Sequence, residues 1–125
     1  MIKLSAIVTC FDNQETITQC IESLSFADEI IVIDSFSTDK TLEIAKKFNV
    51  KIIQRVFDDF STQKNFAIDQ AKYDWIYILD ADERVTPKVK KEILKAVKKP
   101  KDYVGFYVKR RFYFAGKKIN YSGWQ

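Results

Sequence analysis

A chain of 125 residues, 46% hydrophobic and 30% charged, can bury one core, and its composition excludes a disordered polymer. It has no histidine, and its two cysteines, Cys10 and Cys20, lack metal-ligand spacing; Ser-His and Cys-His nucleophile pairs and histidine metal sites are therefore excluded. The net charge of +4 is uneven: residues 1–85 hold nine Lys and Arg against fifteen Asp and Glu, and residues 86–125 hold twelve against two.

In chain order, Met1 to Cys10 contains a short apolar run without a small-residue cleavage site, and reads as a first strand (Leu4 to Val8) rather than a signal peptide. Ile17, Cys20, Ile21 and Leu24 form one helical stripe, with Asp12 and Glu15 spaced as a capping box. Ile30 to Ile33 gives a second strand, and Ser37-Thr38-Asp39 opens a helix carrying Leu42, Ala45 and Phe48. Val50 to Ile53 is a third strand, and Ser61 is placed to cap a helix bearing Phe66, Ala67 and Ala71. Trp75 to Leu79 is a fourth strand. A helix with Val89, Ile93, Leu94 and Val97 on one stripe opens at Thr86-Pro87 and closes before Pro100.

These short, nearly continuous apolar runs suit parallel strands covered on both faces, so residues 1–100 read as βα repeats of an α/β fold. Residues 101–125 depart from the repeat. Tyr103 to Phe114 alternates as a strand or hairpin, and Ala115-Gly116-Lys117-Lys118 reads as a turn. The ending at Tyr121-Ser122-Gly123-Trp124-Gln125 reads as a stop inside a larger catalytic domain.

In such a sheet, ligands bind beyond the carboxyl ends of the strands. The loops there hold Thr9 to Asn13, Asp34 to Asp39, Asp58 to Asn65 and Asp80 to Arg84. Taken singly, Asp12 and Asp34 read as caps, Phe11 as core packing, Lys64 as solvated, and Glu83 and Arg84 as surface charges. Asp80 and Asp82 differ, because paired carboxylates at a strand end repel unless a cation compensates. On an extended stretch both would point one way. Hard oxygen donors without His or Cys favour Mg2+ or Mn2+, held by one or two carboxylates plus substrate phosphates.

Asp34-Ser35-Phe36-Ser37-Thr38-Asp39-Lys40-Thr41, Gln63-Lys64-Asn65 and Leu79-Asp80-Ala81-Asp82-Glu83, in this order, resemble the family 2 glycosyltransferases. The likeness extends to the bacterial lipopolysaccharide-core glucosyltransferase branch (WaaE/KdtX-like enzymes). It implies a Rossmann-like GT-A fold, mostly parallel with helices on both faces, and inverting transfer from a nucleotide-diphosphate sugar (UDP-sugar) to a glycan or lipid-linked acceptor in envelope polysaccharide or lipopolysaccharide synthesis. By the same resemblance, Thr9 and Phe11 would line the uracil pocket. Asp34 and Ser35 would recognise the nucleoside, Lys64 would approach the diphosphate, Asp80 the ribose, and Asp82 would bind the metal. The catalytic base would lie beyond Gln125, so these 125 residues alone would bind nucleotide weakly and not turn over. The chain departs from many relatives in carrying Phe36 and Lys40 where they have glycine, and Lys64 where they have arginine.

Two other readings stand beside this one: a non-catalytic nucleotide-sugar-binding module, and a receiver-like signalling domain. The basic segment from Lys88 to Lys118 suits either a solvated face or peripheral contact with an anionic inner-membrane surface. No recognition motif for nucleic acid accompanies it, and no apolar run approaches the ~18 residues of a membrane span. Two cysteines without a secretory signal point to reduced thiols in a cytoplasm.

Overall fold

The computed structural model describes residues 3–73, 75–98, 107–108 and 111–115. Its elements run β1 (Leu4–Cys10), α1 (Ile17–Glu22), β2 (Glu29–Asp34), α2 (Thr41–Ala45), β3 (Lys51–Gln54), α3 (Phe60–Gln70), β4 (Trp75–Asp80), α4 (Pro87–Lys98), β5 (Tyr107–Val108) and β6 (Arg111–Ala115). The sheet order is β3-β2-β1-β4-β6-β5. Every pairing is parallel except β5 with β6. The four apolar runs are thus the four parallel strands expected, and the segment after residue 100 adds a hairpin to the same sheet.

Strand periodicity sorts the core into two layers. Leu4, Ala6, Val8 and Cys10 of β1 join Val32, Trp75, Tyr77 and Leu79 on one face, under Ile17, Cys20, Ile21 and Leu24 of the α1 region, Ala45 of α2 and Ile93 of α4. Ile7, Ile31, Ile33 and Ile76 pack on the other face against Ala67, Ile68 and Ala71 of and after α3. Burying each Ile or Leu contributes about 1.5–3 kcal/mol, so two covered faces carry most of the stability. The uninterrupted apolar character of these strands follows from that double cover.

Helix starts differ from expectation in two places. α1 begins after Thr16 with no side-chain cap, so Asp12 and Glu15 form no capping box. Asp12 instead lies in the left-handed region (φ 53°) and turns its carboxylate towards the loop after β2. α3 is capped by Asp59, whose carboxylate accepts the Thr62 N–H at 2.8 Å, and Ser61 lies one residue inside the helix. α2 follows Ser37-Thr38-Asp39 as read, with Asp39 accepting the Thr41 N–H at 2.9 Å. α4 also opens as read, with Thr86 Oγ1 accepting the Val89 N–H ahead of Pro87. Ala115, read as the start of a turn, ends β6 opposite Ile78; Gly116-Lys117-Lys118 lies outside the described residues.

Phe36 also has positive φ, at 60°. For a residue with a bulky Cβ substituent that conformation costs roughly 1–2 kcal/mol. At the opposite end of the strands, the foot of the sheet is stapled by two carboxylates. Asp28 Oδ2 accepts the Leu4 N–H (2.8 Å), and Glu29 Oε1 accepts both the Ser5 hydroxyl (2.7 Å) and the Lys72 N–H (2.8 Å). Ser5 Oγ in turn accepts the Tyr73 N–H at 3.2 Å, so β1, β2 and the entry to β4 meet at one serine.

Candidate functional site

The carboxyl ends of β1, β2 and β4 meet at one edge of the sheet, where register places Cys10 beside Asp34 and Thr9 beside Asp80. Strand parity then divides the polar residues. Cys10 and Asp34 belong to the face under α1 and α2, and Thr9 and Asp80 to the face carrying α3.

β4 ends in a tight turn, closed by the Glu83 N–H donating to the Asp80 carbonyl at 2.9 Å. Asp80 and Asp82 therefore do not project from an extended stretch, as their spacing suggested. Ala81 is buried at the turn's centre, its N–H bonded to the Thr9 carbonyl, and the flanking side chains fold outward together. Asp80, Asp82 and Glu83 each offer a carboxylate oxygen, all within 4.8 Å of one another. Thr9 Oγ1 donates to Asp80 Oδ1 at 2.8 Å, and Glu83 Oε1 accepts the Asp80 N–H at 2.9 Å. Among the described residues, the Asp82 carboxylate has no hydrogen-bond partner of its own. Opposite oxygens on one Mg2+ lie ~4.2 Å apart, so the trio has the donor chemistry and span for a hard divalent cation.

Glu83 is the residue that reading the sequence set aside as a surface charge. Its part in the trio depends on the turn, and the spacing Asp-x-Asp-Glu was the only local sign of it. Beneath the turn, Cys20 Sγ contacts the Asp80 carbonyl (3.8 Å), and Ser23 Oγ accepts the Val85 N–H (2.9 Å), so α1 fixes both ends of the acidic turn. Burial, and after it the fields of Glu83, Asp82 and Asp80, pushes the Cys20 thiol up to about 12. Burial and then Glu83 act in the same direction on Tyr77.

The loops after β1 and β2 behave differently. Asp34 is fully buried, and its oxygens accept from Ser37 Oγ (2.5 Å), Ser37 N (3.1 Å), Gln54 Nε2 (3.3 Å) and Cys10 Sγ (3.4 Å). Those four donors fill the four lone-pair positions of a carboxylate. Burial and then Asp34 raise the Cys10 thiol well above its ordinary range. Asp12 Oδ1 accepts the Thr38 N–H at 2.6 Å and the Asp39 N–H at 3.3 Å, and Ser37 Oγ accepts the Asp12 N–H at 2.9 Å. Thr41 Oγ1 accepts the Asn13 N–H, Asp39 Oδ2 accepts the Gln14 N–H, and Gln14 Oε1 accepts the Lys40 N–H across the same gap. Ser35, half-buried, donates its N–H to the Cys10 carbonyl at 2.9 Å. Two aromatic rings stand out of this interlock: Phe11 is 53% exposed and Phe36 49%. Phe11 is thus not core packing.

Lys64 sits half-buried in α3, on the sheet face shared with Thr9 and Asp80. The start of that helix is held by Arg55, which grips both Asp58 oxygens at 3.0 Å and Gln63 Oε1 at 2.9 Å, and stacks 4.8 Å from the Phe66 ring. The Arg55 hydrogen bonds hold the Asp58 carboxyl at about 2, below the usual range. So the structure ties Thr9 to Asp80 and its turn, ties Asp34 and Ser35 to β1, and leaves Phe11 at the open edge between them.

An α/β sheet with a carboxylate turn closing its fourth strand agrees with what the sequence matches, which is the family described as glycosyl transferase family 2, over residues 5–123. This chain is a member of glycosyl transferase family 2. Membership removes the receiver-like reading. The lipopolysaccharide core biosynthesis glycosyltransferase LpsC of Rhizobium meliloti is 29% identical over 120 residues, covering 92% of this chain and 44% of LpsC. A glycosyltransferase of Rickettsia bellii is 38% identical over 92 residues, covering 73% of this chain and 31% of its own length. The chain therefore spans less than half of these relatives. Among solved structures, Staphylococcus aureus TarS 1-349 in complex with UDP superposes with a TM-score of 0.61 at 27% identity, over 78% of this chain and 32% of that one. Glucosyl-3-phosphoglycerate synthase of Mycobacterium tuberculosis, in complex with Mn2+, UDP and glucosyl-3-phosphoglycerate, shares the fold at 20% identity and TM-score 0.58, over 66% of this chain and 36% of that one. The architecture is that of the GT-A glycosyltransferases, with helices on both faces of a mostly parallel sheet. No described helix is long and apolar enough to cross a membrane.

Proposed function

We propose that this chain carries the donor site of an inverting glycosyltransferase that takes a sugar from a nucleotide-diphosphate sugar, UDP-sugar being the donor favoured, for envelope polysaccharide or lipopolysaccharide synthesis. The observation that carries it is the turn bringing Asp80, Asp82 and Glu83 within 4.8 Å at the ligand edge, beside Thr9, in a chain of this family. The UDP held by TarS on the same fold supports the choice of nucleotide.

Each residue then has a task. Phe11 and Thr9 border the base, and Thr9 fixes the carboxylate of Asp80 towards the ribose side. Asp34 acts through the Ser35–Ser37 segment that its four bonds shape. Lys64 adds positive charge towards the diphosphate. Asp82, helped by Asp80 and Glu83, would hold Mg2+ or Mn2+. When bound, the ion supplies stabilisation for the negative charge that builds on the departing diphosphate. In the transfer itself an acceptor hydroxyl oxygen bonds to the sugar's anomeric carbon as the carbon–oxygen bond to the diphosphate breaks. The electron pair leaves with UDP, and the hydroxyl proton passes to a carboxylate base. The acceptor is a glycan or lipid-linked hydroxyl. The basic segment beyond residue 86 favours peripheral contact with an anionic, cytoplasm-facing membrane surface.

The test is an NMR titration with UDP, which reads weak binding, with Mg2+ and then trace Mn2+. Paramagnetic broadening should centre on residues 80–83 and disappear in Asp82→Ala, with UDP affinity falling about tenfold or more in Mg2+. UDP binding that ignores metal in both proteins would refute the metal role. Binding without turnover in the longer protein would make the domain a nucleotide-sugar-binding module.

A further inference from the structure

Phe36 is the residue whose placement in the site nothing else accounts for. Its backbone is left-handed, which asparagine, aspartate or glycine tolerates and phenylalanine resists, and half of its surface is open to solvent. Relaxation is blocked on both sides. Ser35 N–H is bound to the Cys10 carbonyl, and Ser37 N–H to Asp34 Oδ2, itself fully buried. A further bond from the Asp12 N–H to Ser37 Oγ locks the loop to its neighbour, which carries the exposed Phe11. Single exposed apolar residues are ordinary on protein surfaces. A ring that is exposed, held in a disfavoured conformation by bonds on both sides, and carried on a loop bonded to the one bearing a second exposed ring at the ligand edge is not ordinary. Strain of this kind persists only where the surroundings over-determine it, and it gathers at ligand sites.

We infer that Phe36 is a specificity-determining residue of the donor site, supplying with Phe11 the aromatic surface on which the nucleoside base rests. This deepens the proposed function and rests on it. An aromatic face recognises the flat base and contributes nothing to the diphosphate, so the two parts of the ligand separate the roles. Asp34, its oxygens filled, serves here as the positioning residue that presents the ring.

The experiment compares wild type, Phe36→Ala and Phe36→Gly by NMR titration in Mg2+, with UDP and with inorganic pyrophosphate as probes. UDP affinity should fall about fivefold or more in both variants, with pyrophosphate affinity unchanged. Phe36→Gly should melt above Phe36→Ala by roughly 2–5 °C, because glycine alone accepts the left-handed backbone freely. Equal UDP affinity in all three proteins would overturn the inference and leave the donor site standing. Parallel loss of UDP and pyrophosphate would also overturn it, by showing that the ring holds the loop's shape. Wild type that binds neither probe would take down the donor site and this inference together.

Discussion

Two aspartate-rich regions at the same sheet edge have opposite fates. In the loops after β1 and β2, Asp12, Asp34 and Asp39 spend their oxygens on the chain itself, with bonds that tie residues 24 to 26 positions apart. In the turn after β4, Asp80, Asp82 and Glu83 crowd together, with Thr9 Oγ1 donating to Asp80 and Glu83 accepting the Asp80 N–H. The carboxylate chemistry is the same, and the difference lies in whether the oxygens meet donors from a neighbouring loop or other carboxylates. A hydrogen-bonded buried carboxylate stabilises its loop, whereas a cluster of like charges is a standing electrostatic cost until a cation arrives.

The sharpest way to break this contrast is Asp34→Ala. It leaves Ser37 and Gln54 without their acceptor in a buried site, and should cost about 3 kcal/mol in urea unfolding, or roughly 10 °C in Tm. A loss below about 1 kcal/mol would mean that the interlocked loops do not depend on it. A second effect separates the regions through their cysteines. Cys10 lies beneath the loops and Cys20 beneath the acidic turn, both buried with raised thiol pKa values. Protonated thiols contribute fully below the unfolded value of ~8.5, and that contribution is lost as pH rises towards the folded values, since only the unfolded chain ionises between. Stability should drop by on the order of 1 kcal/mol by pH 9, and Cys10→Ala and Cys20→Ala should each remove part of the slope. The smallest effect belongs to Asp82→Ala without metal: a change within about 0.5 kcal/mol, with the sign towards greater stability. Marked destabilisation there would put Asp82 in the structural class.

The sequence disclosed what depends on burial. Continuous apolar runs gave β1 to β4 within a residue or two, and the stripe Ile17, Cys20, Ile21, Leu24 is fully interior. Thr86-Pro87 opened α4 because its cap lies within three residues. It disclosed less where a polar side chain chooses among distant partners. Asp12 has the spacing of a capping box, yet its carboxylate is taken by the Thr38 N–H from the neighbouring loop, and α1 has no side-chain cap. Ser61 lost the cap of α3 to Asp59, which sits at the extended residue before the helix. Glu83 and the convergence at Asp80 required a turn that a period-2 reading cannot contain.

The staples at the other end of the sheet bear on how the site can move. Ser5, Asp28 and Glu29 pin three strands where no ligand comes, within a core closed on both faces. A frame anchored at its foot keeps its spacings at the rim, so Asp12, Phe36 and Asp82 are presented at separations that the paired strands have already set.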